Sequence, residues 1–343
     1  MDALRCFALC ARGLESVAAD EIGALRGVRV VDHGYRRVAL DADDPTPLIG
    51  LRTVDDVFVE LARWDGIARE RATLGRMAAL SAALDLHGAR RACARVRPLP
   101  ATPSFALSAS FVGKRNYSGE EMKHAVGDAM ARTVGWNRRE RDDEADVNVR
   151  LFIEHDRAHV GMRLARRPLQ DRAYKLAHRP GSLKPPIAAA MLRLAGLRAG
   201  ERVVDPFCGA GTVAVEAAAL GARAIAGDRD AGAVAALRVN AGASGLAVAV
   251  AAWDAAAVAL ADGAADLVVT NPPWDRQVQV AGGLDRLYAA AGHEMLRILA
   301  PGGRIAVLTP EPDRLPLPGL RRLSCTAISL AGDTPSIVVL DRG

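Results

Sequence analysis

Lysine is scarce in this chain: four of its 45 basic residues are lysine and the rest are arginine. Arginines occur along the whole length, so an arginine-rich composition accounts for any single one, and a phosphate-binding role must be argued from placement. No CxxC pair exists either. Cys6, Cys10, Cys93, Cys208 and Cys325 are odd in number and scattered, which excludes the usual structural zinc and redox dithiol patterns and leaves no metal site to expect. Thiols in that pattern suit a reducing cytoplasm. Any run of about 18 uncharged apolar residues is also missing; the longest candidate, Leu246 to Ala261, is broken by Asp254, so no membrane-spanning helix is expected. The apolar stretch Cys6 to Ala11 is too short for the core of a secretion signal.

What remains is an ordinary globular composition, with half of the 343 residues hydrophobic and a quarter charged, long enough for two or three folded units. The charge is uneven. Residues 1–180 hold 30 Lys and Arg against 25 Asp and Glu, residues 181–343 hold 15 against 15, so the net charge of +5 lies in the first part. Arg157 to Lys184 carries eight basic residues and one acid, Asp171, a net +7 in 28 residues. Such a strip suits a nucleic-acid groove, because neutralised phosphates release counterions; a solvated connector between domains is the alternative.

The first part reads as small α+β units: strand CFALCA, a helix Leu14 to Leu25, strands VRVVD and RRVALDA, and a strand Val57 to Arg63. A helix Leu74 to Leu86, a strand over ARRACARVR and a strand FALSASFV follow. Ser118 and Glu121 form a capping-box pattern for a helix Glu120 to Val134, before strands VNVRLFIEH and AHVGMRL. From Ile187 strands and helices alternate, and the strands are nearly continuous in apolar residues, which implies a parallel sheet covered on both faces. The last two strands, LSCTAISL and PSIVVLD, are separated by only four residues and must be antiparallel. A mostly parallel sheet ending in an antiparallel hairpin points away from most doubly wound folds and suits a class I methyltransferase.

The first strand of that sheet runs into Asp205-Pro206-Phe207-Cys208-Gly209-Ala210-Gly211-Thr212 and a helix, a glycine turn where doubly wound sheets bind ligands. Gly209, Gly211 and Ala214 also satisfy the dinucleotide fingerprint, with Asp228 near the ribose-acid spacing, so an NAD-linked oxidoreductase is a rival. Asp205 argues against it, because a carboxylate there repels a pyrophosphate and suits the cationic amino-acid group of S-adenosylmethionine. In that reading Asp228 accepts the ribose hydroxyls and Asp254 the adenine amine; a turn role is the alternative for Asp254. Cys208 reads as a packing residue. The fourth strand ends in Asn271-Pro272-Pro273-Trp274, where two prolines leave carbonyls unused. The Asn271 oxygen and the Pro272 carbonyl can accept from the hydrogens of a planar amine and turn its lone pair towards a methyl donor, with Trp274 stacking on the base.

DPFCGAGT is similar to the first motif of methyltransferases that modify amino groups on RNA bases. GKRNYSGEEMKHAVGDAM and AHVGMRLARRPLQDRAYK resemble the THUMP RNA-binding module, and CFALCARGLESVAADEIGAL resembles the ferredoxin-like domain that precedes it. With HRPGSLKPPIAAAMLRLAG, the resemblance spans nearly the whole chain and is to the THUMP-containing RNA guanine-N2 methyltransferases of tRNA type. It implies a ferredoxin-like domain over residues 1–65, THUMP over 66–165, a basic linker over 166–186 and a Rossmann-like methyltransferase domain over 187–343. It further implies an enzyme that takes S-adenosylmethionine and grips the acceptor end of tRNA, placing Lys114, Arg115, Arg166, Arg167, Arg172, Lys175, Arg179 and Lys184 near phosphates; the chain is expected to be cytoplasmic and monomeric. Ser182 is expected to cap the helix entered through Pro185 and Pro186. Trp274-Asp275 replaces the family's aromatic-Gly, and no Ser-Gly-Gly-x-Asp loop of the THUMP-bearing thiouridine synthases is present. Methylation of a guanine amine or an adenine amine of ribosomal RNA, and a non-catalytic RNA-binding protein, are the remaining alternatives.

Overall fold

In the computed structural model, which describes residues 3–274, 283–314 and 316–343, strands and helices gather into two units: residues 1–10 with 18–169, and residues 11–17 with 170–343. The first holds one eight-stranded sheet. Its elements in chain order are β1 (Leu4–Leu9), α1 (Glu15–Gly23), β2 (Val28–Gly34), β3 (Arg37–Ala42), β4 (Asp56–Trp64), α2 (Thr73–Ser81), α3 (Leu86–Ala94), β5 (Phe105–Phe111), α4 (Gly119–Val134), β6 (Arg138–Arg139), β7 (Val147–Glu154) and β8 (Arg157–Arg163). The strand order is β2-β3-β1-β4-β8-β7-β5-β6, antiparallel except where β5 meets β6 and β7. Alternate strand residues such as Cys6 and Ala8, Val38 and Leu40, Val57 and Val59, and Val149 and Leu151 share a core with Ile22, Met77, Cys93, Met122 and Val126 from the helices, as the two-residue period of a strand requires.

The α4 N-terminus is the capping box that the sequence signals: the Ser118 hydroxyl accepts from Glu121 N at 3.2 Å and the Glu121 carboxylate from Ser118 N at 2.8 Å. The strand expected over Ala89–Arg97 is instead helix α3, and the expected helix Leu74–Leu86 ends at Ser81. Asp85 decides this. Its carboxylate accepts from Gly88 N at 2.7 Å, starting a new helix whose buried Leu86, Ala89, Ala92 and Cys93 follow a three-to-four-residue spacing.

The second unit runs α5 (Pro185–Leu194), β9 (Arg202–Asp205), α6 (Thr212–Ala219), β10 (Arg223–Asp228), α7 (Ala231–Ser244), β11 (Val248–Ala252), β12 (Ala265–Thr270), α8 (Leu284–Ile298), β13 (Leu299–Thr309), β14 (Arg321–Ala327) and β15 (Ser336–Asp341). Its sheet has the order β11-β10-β9-β12-β13-β15-β14. The first five strands are parallel and β15 is antiparallel to both of its neighbours. Both faces are covered. Val203, Leu267 and Val269 pack with α5, α6 and α7, while Val204, Val268 and Ile305 pack with α8. Residues 170–184, within the expected basic linker, form no helix or strand, yet belong to this unit and bury Tyr174 and Leu183 in its core. Ser182 does not cap α5: Lys184 occupies the cap position without a side-chain bond, because Pro185 and Pro186 supply the first turn and need no N–H acceptor.

Candidate active site

The carboxyl ends of β9, β10 and β12 place Asp205, Asp228 and Asn271 around one crevice. Asp205 is buried, and its Oδ1 accepts from Thr270 Oγ1 at 2.7 Å and from Phe207 N at 3.2 Å. Burial pushes its carboxyl up to about 7, against those two hydrogen bonds and with the nearby Asp228 charge adding to the rise. Asp228 in turn accepts from Gly209 N at 3.1 Å and from Asp230 N at 3.0 Å, which ties the glycine turn to the end of β10. The two glycines do different work. A Cβ on Gly209 would meet nothing within 4 Å, so the chain there opens onto the crevice, whereas a Cβ on Gly211 would lie 2.1 Å from Leu237. Both have positive φ, +51° and +81°, which glycine adopts without strain. Asn240 fastens the turn from below, donating to Ala210 O at 2.8 Å. Burial raises the Cys208 thiol far above its ordinary range, as suits a packing residue.

Trp253 was not anticipated. Its indole N–H donates to Pro206 O at 3.3 Å, and a Cβ on Gly227 would lie 2.5 Å from its ring, so glycine at 227 is what lets the indole support the loop. Asp254 lines the crevice, and its carboxylate accepts from Ala256 N at 2.9 Å, the bond of a turn residue. At the other end, Asn271, Pro272, Pro273 and Trp274 line the same wall. The Trp274 indole donates to Leu308 O at 3.3 Å, and the Tyr288 hydroxyl donates to Pro273 O at 2.6 Å. Asp275 lies outside the described residues.

These groups surround one cavity of about 720 Å³, within the usual range for a bound small molecule. Among the described residues of this unit, two buried side-chain polar atoms lack a hydrogen-bond partner, Asn271 Oδ1 and Ser182 Oγ, and both residues line the cavity. A buried acceptor without a donor costs stability unless a ligand supplies one, so the chamber is shaped for a polar guest. Among the described residues no group of side chains suits a metal ion.

The basic residues are scattered by the fold. Lys175, Arg179 and Lys184 line the cavity, but Lys175 donates to Leu183 O and Arg179 pairs with Asp230 at 2.5 Å. Burial lowers the Lys175 amine to about 8. Arg172 is turned inward onto the fully buried Glu216, at 3.2 Å. In the first unit Arg115 spends its guanidinium on the carbonyls of Ile67 and Ala68, each at 3.0 Å, and Arg166 donates to Ala145 O. Lys114 and Arg167 are exposed.

Residues 172–317 match the UPF0020 family (RMKL-like, methyltransferase domain). The crystal structure of TrmN from Thermus thermophilus superposes with a TM-score of 0.79 at 32% identity, covering 98% of this chain and 99% of that one. The chain belongs to the TrmN family of methyltransferases. A tRNA (guanine(6)-N2)-methyltransferase of Thermus thermophilus is 41% identical over 115 residues, 34% of this chain and 33% of that protein. A mouse protein named U6 snRNA (guanine-N(2))-methyltransferase THUMPD2 is 37% identical over 103 residues, 29% of this chain and 18% of that protein. The matches thus span a third or less of these two relatives. The cavity size, the open Gly209 and the unpartnered polar atoms fit a nucleoside with an amino-acid tail.

Proposed function

We propose that this TrmN-family enzyme methylates the exocyclic N2 amine of a guanosine in tRNA. The observation that carries the reading is the unpartnered, buried Asn271 Oδ1 in one cavity with Asp205, Gly209 and Asp228. Bound S-adenosylmethionine supplies an electrophilic methyl on a cationic sulfur. Asp228 is assigned to the ribose hydroxyls, Asp254 to the adenine amine, and the Asp205–Thr212 loop to the methionine tail. An aromatic amine is a weak nucleophile while its lone pair is conjugated with the ring. Asn271 Oδ1 and the Pro272 carbonyl accept from its two hydrogens and hold that lone pair towards the donor, and Trp274 offers a stacking face worth ~1–3 kcal/mol. Positioning supplies the acceleration; as the neutral thioether departs, the methylated nitrogen, far more acidic than the starting amine, sheds one proton to solvent, so no strong base is required.

The names of the two partial relatives support guanine N2 and an RNA substrate, and residues 1–65 and 66–165 are assigned as ferredoxin-like and THUMP domains that deliver the tRNA acceptor end. Because the mouse relative is named for a small nuclear RNA, another structured RNA is the second reading. Incubation with unmodified tRNA, ribosomal RNA and small nuclear RNA transcripts and labelled donor, then nucleoside mass spectrometry, tests both. N2-methylguanosine in tRNA is expected; label in adenosine, or in no RNA, overturns the proposal.

A further inference from the structure

The loop that offers acceptors to the amine has little to hold it in shape. At Pro272 and Pro273 the rings fix φ and remove the N–H groups, so the adjustable angles are the ψ values of Asn271, Pro272 and Pro273. No ladder or helix reaches this far: β12 stops at Thr270 and α8 starts at Leu284. A loop whose carbonyls have no ladder or helix partner and whose ψ angles are unfixed presents its acceptors in several directions, and amine methylation needs two of them in one.

Two side-chain hydrogen bonds to other elements pin its far end. The Trp274 indole N–H, at 3.3 Å from Leu308 O, anchors the loop to β13. The Tyr288 hydroxyl, one turn into α8, reaches Pro273 O at 2.6 Å. Tyr288 is 2% exposed, and a phenol at that depth needs an acceptor just as a buried carbonyl needs a donor. The Arg314 guanidinium lies 5.9 Å from the Tyr288 ring centroid and is itself held by Asp285 at 2.8 Å and Glu311 at 2.9 Å.

We propose that Tyr288 is the positioning residue of the amine-binding loop. Its hydroxyl occupies the Pro273 carbonyl and so removes it from competition as an amine acceptor. With φ at Pro273 already set by the ring, the bond also fixes the remaining ψ, so that Pro272 O and Asn271 Oδ1 stay as the pair facing the cavity. Pro273 lines the cavity and Tyr288 does not, so the tyrosine acts through the proline. The inference rests on the amine-methylation reading above and names what shapes that site.

Tyr288→Phe in the full chain removes one hydroxyl and leaves the ring packing. Turnover should fall about tenfold, equivalent to ~1.4 kcal/mol of barrier. KM for RNA, S-adenosylhomocysteine affinity by calorimetry and the thermal midpoint should stay at wild-type values. A turnover within twofold of wild type overturns the proposal, and so does a loss that appears equally in S-adenosylhomocysteine affinity. A second measurement does not depend on activity: amide hydrogen exchange at Trp274, whose N–H shares the clamped peptide plane, should accelerate about tenfold in Tyr288→Phe while Val268 to Thr270 are unaffected. Unchanged exchange at Trp274 refutes the clamp even if the enzyme is active. A wild-type protein that methylates no RNA counts against the amine reading, and the exchange experiment still judges Tyr288.

Discussion

Asn271 and Asp205 end neighbouring regions of one sheet and differ in what they are already bonded to. Asn271 Oδ1 is an acceptor with no donor, so removing it takes nothing from the empty fold and everything from the proposed amine site. Asn271→Ala should lower turnover by ~100-fold or more, the scale of removing one preorganised transition-state hydrogen bond, with S-adenosylhomocysteine affinity nearly intact; an equal loss of affinity would assign Asn271 to the donor instead. Asp205 is the reverse case, satisfied and buried. Burial raises its carboxyl from the ordinary 3.8 to about 7. Between about pH 4 and 7 the folded chain therefore keeps a proton that the unfolded chain has released, and this contribution to stability, full below about 4, is lost as pH rises through 7. A cationic amino group in the cavity favours the carboxylate. Binding of S-adenosylhomocysteine at pH 6 should then release a proton, seen as a binding enthalpy that depends on the ionisation enthalpy of the buffer, and Asp205→Asn should abolish that dependence. Equal enthalpies in all buffers for the wild type would separate Asp205 from the amino-acid tail.

Elements were legible where burial on both faces wrote a long apolar run. The β9, β12 and β13 strands and the antiparallel end of the sheet follow from the sequence for that reason, and the cofactor loop and Asn271–Trp274 were readable because their residues are contiguous. Residues 89–97 were not. Ala, Arg and Cys in near alternation satisfy a strand period and a helix period alike, and the deciding signal is the isolated Asp85, which caps Gly88 N. Asp85→Ala should destabilise the protein by ~1 kcal/mol, read from its denaturant midpoint; no change would mean that packing of Leu86, Ala89 and Cys93 alone starts α3. Trp253, Thr270 and Tyr288 were illegible for another reason. Each supports the site from a different element, and only the folded sheet brings their hydroxyl or indole groups to Pro206, Asp205 and Pro273. Ser182 misled because two prolines already satisfy the helix start that it would have capped.

At the scale of the whole molecule, the run of positive charge between Arg157 and Lys184 is a property of the linear chain that folding largely neutralises. Counting along the sequence misses partners from far away: Arg163 meets Asp56, Arg157 meets Asp65, Arg172 meets Glu216 and Arg179 meets Asp230. The residues expected near phosphates therefore divide by what they have to lose. Lys114, Arg167 and Lys184 are exposed, and replacing all three with Ala should reduce the slope of log affinity for tRNA against log salt by roughly 2, at ~0.7 per neutralised single-strand phosphate, with the thermal midpoint unchanged. Arg172→Ala should behave oppositely. It withdraws the guanidinium from Glu216, which is 0% exposed, and leaves the Tyr174 hydroxyl at 2.9 Å to face a buried carboxylate, a loss of roughly 3–5 kcal/mol for a broken buried pair that would appear in unfolding and not in the salt slope. A triple variant with an unaltered slope would make those side chains solvated surface, and an Arg172→Ala protein of full stability with a flattened slope would return that arginine to the RNA.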